Sequence, residues 1–257
     1  MAVNNPEDHK ASPVLIAGAI RDESIESEPG DSKTAALVST GKIVILKNVF
    51  DRAAMTDFRR AVTGWCKSTP PYPHGVAPST TPTRNYHRMD DGRIASSLPH
   101  VFHQVCFNNL EALDGEVGQQ ARSIVGMMRN FQNRVAGTKF DFSPTGLRVK
   151  VLRYPNGGGY LAEHMHPLEP QRIGLILSLS RVGHDFVSGG TTFQTPFGFV
   201  DTNEDHDIGD VIVFRYDLAH GVKAVDPEKE IDWKSESGKW TVLLELRETH
   251  GQSSAKM

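Results

Sequence analysis

The chain has 257 residues, 38% of them hydrophobic, and a formal net charge of -3. This length predicts one globular domain with a sizeable core, and the near-neutral charge gives no reason to expect a nucleic-acid partner. The sequence has no apolar run long enough to cross a membrane, and its start lacks the segments of a signal peptide, so we predict a cytoplasmic protein with no membrane partner. Cys66 and Cys106 are predicted to be reduced thiols.

The N-terminal stretch differs in composition from the rest of the chain. Residues 1–33 are mostly polar, with an acidic cluster in RDESIESEPGD and one short apolar patch, PVLIAGAI. Because such a stretch buries little apolar surface, we predict a partly flexible N-terminal arm over 1–33 and a single domain over 34–257.

A strand and two helices are predicted in the first half of that domain. KIVILKNVF, at 42–50, is typical of a buried strand, and Asp51 is suited to cap a helix whose apolar residues recur at helical spacing. A second helix is predicted in LDGEVGQQARSIVGMMRNFQNRVAG, which keeps a single apolar face. Both helices are expected to pack on a sheet and support it.

A segment rich in Pro, Thr and Ser separates the two helices. This composition predicts an extended loop over 68–93. Long loops in compact domains often carry function. The polar and aromatic cluster at its end, which includes Arg84, Tyr86 and Arg88, is therefore a candidate substrate-binding mouth, and a solvated loop is the alternative interpretation.

From Gly146 onward the pattern changes to short strands. Five are predicted, in GLRVKVLRY, RIGLILSLS, GGTTFQT, GDVIVFRY and KWTVLLELR. Because no helices separate them, the sheets must be largely antiparallel, which predicts an α+β fold with a two-sheet jelly-roll core at about 146–247 and helices on one outer face. No P-loop, GxGxxG, GxSxG or HExxH pattern is present, so phosphate-cradling, dinucleotide-binding and common hydrolase sites find no support.

Two histidines, His164 and His166, lie one residue apart in YLAEHMH, which is interpreted as a strand. Side chains two residues apart on a strand share a face, so both rings can bind one metal ion. His220, directly after the buried strand of GDVIVFRY, is the best candidate for a third ligand. Glu169 is the alternative to His166, although Pro167 is expected to end the strand before it.

These features resemble, in their order along the chain, the Fe(II)/2-oxoglutarate-dependent dioxygenases, particularly prolyl and phytanoyl-type hydroxylases. The family pattern is a tyrosine, a Gly-rich turn, His-x-Asp, Gly-Gly, a Gly-Asp strand, a histidine and then a basic residue, and this chain resembles it over roughly 146–247. The resemblance implies a double-stranded β-helix (cupin-like) core, Fe(II), 2-oxoglutarate as co-substrate and O2. This chain departs from the pattern at His166, where the family has Asp or Glu, so the two-His, one-carboxylate triad would become three histidines.

The resemblance also implies residues for the co-substrate. Family members hold the distal carboxylate of 2-oxoglutarate with a basic residue on the last strand, often with a hydroxyl two residues further on, and Lys239 and Thr241 match these positions. Tyr154 matches the tyrosine before the Gly-rich turn, which contacts the co-substrate in prolyl hydroxylase-like members. The connection before Lys239 is longer than usual, so Arg172 and Arg153 are alternative cations.

The functional expectation is an enzyme, a non-heme iron oxygenase that hydroxylates, desaturates or cyclises a small-molecule substrate. Two alternatives stay open. One is a cupin-type three-His dioxygenase that needs no 2-oxoglutarate, and the other is a jelly-roll binding protein without catalytic activity. The sequence pattern leaves the substrate and the oligomeric state open.

Overall fold

The N-terminal part of the fold joins the main sheet. A computed structural model of the chain describes residues 13–22, 24–73, 84–94 and 97–247. Strand β1 (Val14–Asp22) pairs antiparallel with β2 (Ser24–Ser27) and, beyond helix α1 (Asp31–Ser39), parallel with β3 (Ile43–Lys47). The arm over 1–33 and the domain boundary stay predictions, and residues 1–12 lie outside the described part of the chain.

Two long helices lie outside the sheet, as predicted. Helix α2 (Arg52–Ser68) begins after Asp51, whose carboxylate accepts hydrogen bonds from the amides of Ala53 and Ala54 at 2.9 and 3.1 Å. Helix α3 (Gly115–Ala136) ends at Gly137, whose φ of 65° is the left-handed conformation that glycine adopts readily. None of the helices in the described ranges has both the length and the apolar character that a membrane crossing requires.

A β-hairpin occupies part of the segment predicted as a loop. Strand β4 (Tyr86–Asp91) pairs antiparallel along its whole length with β5 (His100–Phe107). The prediction of an extended loop as far as residue 93 is therefore wrong for 86–91. The side chains of β4 that face inward are polar, so the sequence of this segment does not alternate between apolar and polar residues. Its pairing with β5 makes it a strand.

The remaining strands form the double-stranded β-helix. In chain order they are β6 (Leu147–Tyr154), β7 (Gly159–His164), β8 (Ile173–Ser178), β9 (Thr191–Thr195), β10 (Gly198–Asp201), β11 (Val211–Arg215), β12 (His220–Val225) and β13 (Lys239–Leu246). One row runs β6-β13-β8-β11-β3-β1, a second runs β7-β12-β9-β10, and β5 pairs with both β6 and β7. The predicted jelly-roll core with helices outside is confirmed.

Strand alternation divides the core into an outer and an inner part. On β6, Val149 and Val151 belong to the large apolar cluster that includes the residues of α2 and α3, whereas Lys150, Leu152 and Tyr154 face the barrel interior. The interior therefore carries polar and charged side chains among apolar ones. Such groups are costly to bury unless they serve as partners for each other or for a ligand.

Candidate metal centre and cavity

Three histidines meet inside the mouth of the barrel. His164 ends β7 and lies directly opposite His220, which begins β12. Ring centroids are 4.4 Å apart for His164 and His220, 4.9 Å for His164 and His166, and 5.4 Å for His166 and His220. One ligand atom of each residue lies within 4.8 Å of the others, so the structure brings together the predicted set.

The placement of His166 differs in one respect from the expectation. β7 ends at His164, two residues before His166. His166 therefore lies beyond the strand, whereas the prediction placed it on the strand. Its ring instead stacks on Tyr216, with 4.5 Å between ring centroids and 10° between planes. This stacking orients the His166 imidazole, which lies beyond the end of β7 and is not oriented by the strand.

The protonation of the rings suits metal binding. The Nδ1–H of His164 donates to the carbonyl of Ala162 at 3.1 Å, and that of His220 donates to the carbonyl of Leu218 at 2.8 Å. The unprotonated Nε2 of each neutral ring is then available as a ligand, which is how metal-binding histidines are usually held. Burial lowers the pKa of His164, and burial together with the neighbouring histidines lowers the pKa of His220 well below its usual value, so both rings are neutral at pH 7.

A cavity of about 300 Å³ opens beside the three histidines. Its wall is partly apolar, and the apolar lining includes Phe102, Leu152, Leu161, Ile176, Phe214 and Leu243. Of the predicted substrate residues, Tyr86 and Arg88 line the cavity, whereas Arg84 has an exposed side chain outside the lining. The cavity is large enough for part of a small molecule next to a metal ion.

Other polar residues, which the sequence pattern did not single out, also line this cavity. Glu245 forms ion pairs with Arg148 at 2.5 Å and with Lys150 at 2.9 Å, and Arg88 pairs with Asp90. Burial opposes ionisation of Asp90, but hydrogen bonding to His100 and the charge of Arg88 give it a net lowered pKa. Charged residues within apolar strands, such as Lys150 in GLRVKVLRY, were the signal available in the sequence.

The predicted co-substrate residues are all buried. Lys239, Thr241 and Tyr154 are at most 2% exposed, and Lys239 lies opposite Tyr154 in the pairing of β13 with β6. Alternation along β13 places Lys239 and Thr241 on the same face as Leu243, which lines the cavity. Tyr154 lines the cavity directly, and burial raises the pKa of its phenol, which stays protonated.

Lys239 is a buried cation without a salt bridge to any described residue. Its Nζ lies 5.2 Å from the ring centroid of Phe186. Burial, only partly offset by the charge of Asp201, lowers the pKa of Lys239 from 10.5 to about 8. The interior therefore holds a positive charge that an anion would stabilise.

The alternative residues lie outside this cavity. Arg172 pairs with Glu169 at 3.0 Å on the surface, with 49% and 62% of their side chains exposed, and neither lines the cavity. Arg153 faces away from it, with its guanidinium 5.9 Å from the ring of Trp240. Among these candidate cations, only Lys239 shares a strand face with the cavity wall.

Comparisons with known proteins identify the fold. No family model matches the chain, and no curated protein matches it by sequence. A prolyl-4-hydroxylase from Pseudomonas putida is 11% identical with a TM-score of 0.51, covering 83% of this chain and 96% of its own. The non-heme alpha ketoglutarate dependent epimerase SnoN from nogalamycin biosynthesis is 13% identical with a TM-score of 0.52, covering 83% of this chain and 81% of its own. These likenesses confirm the fold that the sequence resemblance implied.

Proposed function

We propose that this chain is a non-heme iron oxygenase that uses O2 and 2-oxoglutarate to oxidise a small molecule, with Fe(II) bound by His164, His166 and His220. The observation that carries the proposal is one barrel interior that holds three convergent imidazoles and a buried lysine, Lys239, which forms no salt bridge with any described residue. When bound, Fe(II) with 2-oxoglutarate supplies oxidation of an unactivated carbon by O2, with 2-oxoglutarate converted to succinate and CO2.

The three imidazoles fit ferrous iron. Neutral imidazole is a competent iron ligand, and a metal held by three protein ligands would have room for a chelating keto acid and O2. Three neutral ligands leave the full charge of the metal uncompensated, whereas a carboxylate would cancel part of it. We expect this charge to strengthen the hold on an anionic co-substrate.

Lys239 is the proposed partner of the distal carboxylate of 2-oxoglutarate, with the Thr241 hydroxyl and the Tyr154 phenol as hydrogen-bond donors. A buried charge without a partner is unfavourable, and an ion pair with the carboxylate would relieve that cost. Lys150 is less suited to the role because it already forms an ion pair with Glu245 at 2.9 Å.

The substrate is proposed to bind in the cavity beside the histidines. The apolar wall would cover its carbon skeleton and exclude water, while the hairpin of β4 and β5 presents Arg88 and Asp90 to its polar groups. The pocket is proposed to accept a small molecule that carries polar groups at one end.

The test of the proposed function is O2 uptake by metal-free protein reloaded anaerobically with Fe(II), with and without 2-oxoglutarate. Formation of succinate that depends on both O2 and Fe(II) is the expected result. Uptake of O2 with the substrate alone would favour the cupin-type alternative. Failure to retain Fe(II) in equilibrium dialysis would favour a protein without catalytic activity.

The affinity for 2-oxoglutarate is expected to fall at alkaline pH. The pKa of Lys239 is about 8, so its charge is present below that pH and is lost above it. If only the charged form binds, affinity falls about tenfold between pH 7 and pH 9. Titration calorimetry of metal-loaded protein under nitrogen measures this, and Lys239→Arg, which stays charged, is the control for other pH effects. An equally steep fall in that variant would contradict the role of Lys239.

Arg88→Ala is expected to reduce turnover of the native substrate while leaving substrate-free consumption of 2-oxoglutarate within about twofold. Arg88 lines the cavity on the hairpin and is neither a proposed iron ligand nor a proposed partner of 2-oxoglutarate, so its loss should disturb the substrate alone. Arg84→Ala is the matched comparison on the same segment, and we expect a smaller effect because that side chain is exposed. Equal loss of both activities in Arg88→Ala would indicate a folding defect instead.

A further inference from the structure

We propose that Cys66, His87 and His103 form a second metal site, which binds Zn2+ independently of the iron centre and goes beyond the proposed function. One ligand atom of each residue lies within 4.8 Å of the other two. In the described part of the chain, this cluster and the three histidines are the two groups that meet this criterion. The residues come from three elements: Cys66 from α2, His87 from β4 and His103 from β5.

The cluster lies on the opposite face of the hairpin from the first cavity. His87 pairs with Val105 and Met89 pairs with His103, so the two histidines are diagonal neighbours on one face. The alternate β4 residues Tyr86 and Arg88 line the first cavity. The two sites are therefore separated by the thickness of the sheet.

One hydrogen bond joins the two histidines, and a metal ion bound between them would replace it. Nε2 of His87 lies 2.7 Å from the carbonyl oxygen of Thr69, which can only accept, so Nε2 carries the proton and Nδ1 does not. This Nδ1 therefore accepts a hydrogen bond from the Nε2–H of His103 at 2.9 Å. The Thr69 carbonyl thus fixes the His87 ring as outer-shell acceptors fix metal-binding histidines.

Zinc binding at this site would release one proton, from the Cys66 thiol. The Cys66 sulfur would bind as thiolate and its proton would go to solvent, while the single proton of neutral His103 would move from Nε2 to Nδ1 by exchange with solvent so that Nε2 can bind. Burial, only partly counteracted by the nearby charge of Arg153, raises the pKa of the Cys66 thiol to about 12. The thiol is therefore protonated at neutral pH and would release its proton to solvent only when a metal binds the sulfur.

The donor set and its surroundings favour Zn2+. One sulfur and two imidazoles form a mixed set that zinc accepts in tetrahedral geometry, with the fourth position left for water. A cavity of about 500 Å³, lined by all three residues together with Met89, Arg153 and Trp240, borders the cluster and gives room for that water. Bound there, the ion would tie the C-terminal part of α2 to the hairpin that carries Arg88.

Cobalt titration of the full-length protein tests this site, because Co2+ replaces zinc and a thiolate ligand gives a sulfur-to-cobalt charge-transfer band. The three-His centre contains no sulfur and cannot produce that band. We expect the band of the wild type to reach its maximum when one equivalent of Co2+ is bound at this site. The band should disappear when Zn2+ is added. Cys66→Ser should abolish the band, and His103→Gln should weaken binding on the order of 10 to 100-fold or more.

Cys106→Ser is the matched control. Cys106 is buried on β5, three residues after His103. Because successive side chains of a strand point to opposite faces, it faces the other side of the sheet. We expect this variant to keep the band and its titration midpoint. Circular dichroism checks that each variant is folded, and His103→Gln carries the test if Cys66→Ser does not fold. Absence of the band in the wild type, or an unchanged titration in His103→Gln, would overturn the proposal whatever the outcome for the iron centre.

Discussion

His166→Ala is expected to abolish oxygenase activity and to weaken iron binding by more than the 10 to 100-fold typical of losses around a metal centre. The reason is geometric, because the His166 ring lies 4.9 Å from that of His164 and 5.4 Å from that of His220. Its removal leaves two ligands, which hold iron poorly. Equilibrium dialysis with Fe(II) under nitrogen measures affinity, and succinate formation measures activity.

His166→Asp provides the restoring variant for the same experiment. A carboxylate at this place matches the family pattern, so binding should return to near the wild-type level. Glu169→Ala is the control, since Glu169 is 62% exposed and pairs with Arg172 on the surface. Full iron affinity in His166→Ala, together with its loss in Glu169→Ala, would show that the three-His assignment is wrong.

Lys239→Met is expected to weaken 2-oxoglutarate binding by roughly 2 to 5 kcal/mol, the cost of leaving one partner of a buried charge pair alone. That range corresponds to an increase in Kd from about 30-fold to several thousand-fold. Iron binding should be nearly unchanged because the three histidines are untouched. An unchanged Kd for 2-oxoglutarate would move the role to another cation.

The same substitution is expected to stabilise the protein without ligands. Lowering the pKa of Lys239 from 10.5 to about 8 means that its charge destabilises the folded state on the order of 3 kcal/mol below pH 8, and that this cost disappears as pH rises towards 10.5. Urea unfolding at pH 7 should therefore show a gain for Lys239→Met that shrinks at pH 10. Lys150→Met is the contrast, because it removes one of the two cations paired with buried Glu245, so any gain should be smaller than for Lys239→Met.

The sequence pattern predicted those parts of the site that lie on continuous, locally patterned segments. His164 and His220 lie at strand ends, and with His166 two residues beyond β7 they meet in the barrel as expected. Lys239 was found only through its place in the family pattern, because a lysine near a strand terminus carries no sign of burial. Its 1% exposure depends on the closure of the barrel around β13.

The hairpin and the second cluster were missed for a different reason. β4 carries polar residues on its inner face and histidine on its outer face, so it lacks the alternation that predicts a strand. Cys66, His87 and His103 are far apart in sequence, and only the packing of α2 on the outer face of β4 and β5 brings them together. Contacts of this kind depend on tertiary structure, which local periodicity does not encode.

The pairing of β7 with β12 would give an ion bound at the three histidines a mechanical role. His164 and His220 are direct cross-strand partners, but the register shifts between His220 and Val222 and again between Val222 and Val225. Such irregular ladders have fewer well-matched hydrogen bonds and open locally at low free energy. An ion held by both histidines would cross-link the two strands at the end of this weak ladder, so that occupancy of the site and local rigidity of this side of the barrel would rise and fall together.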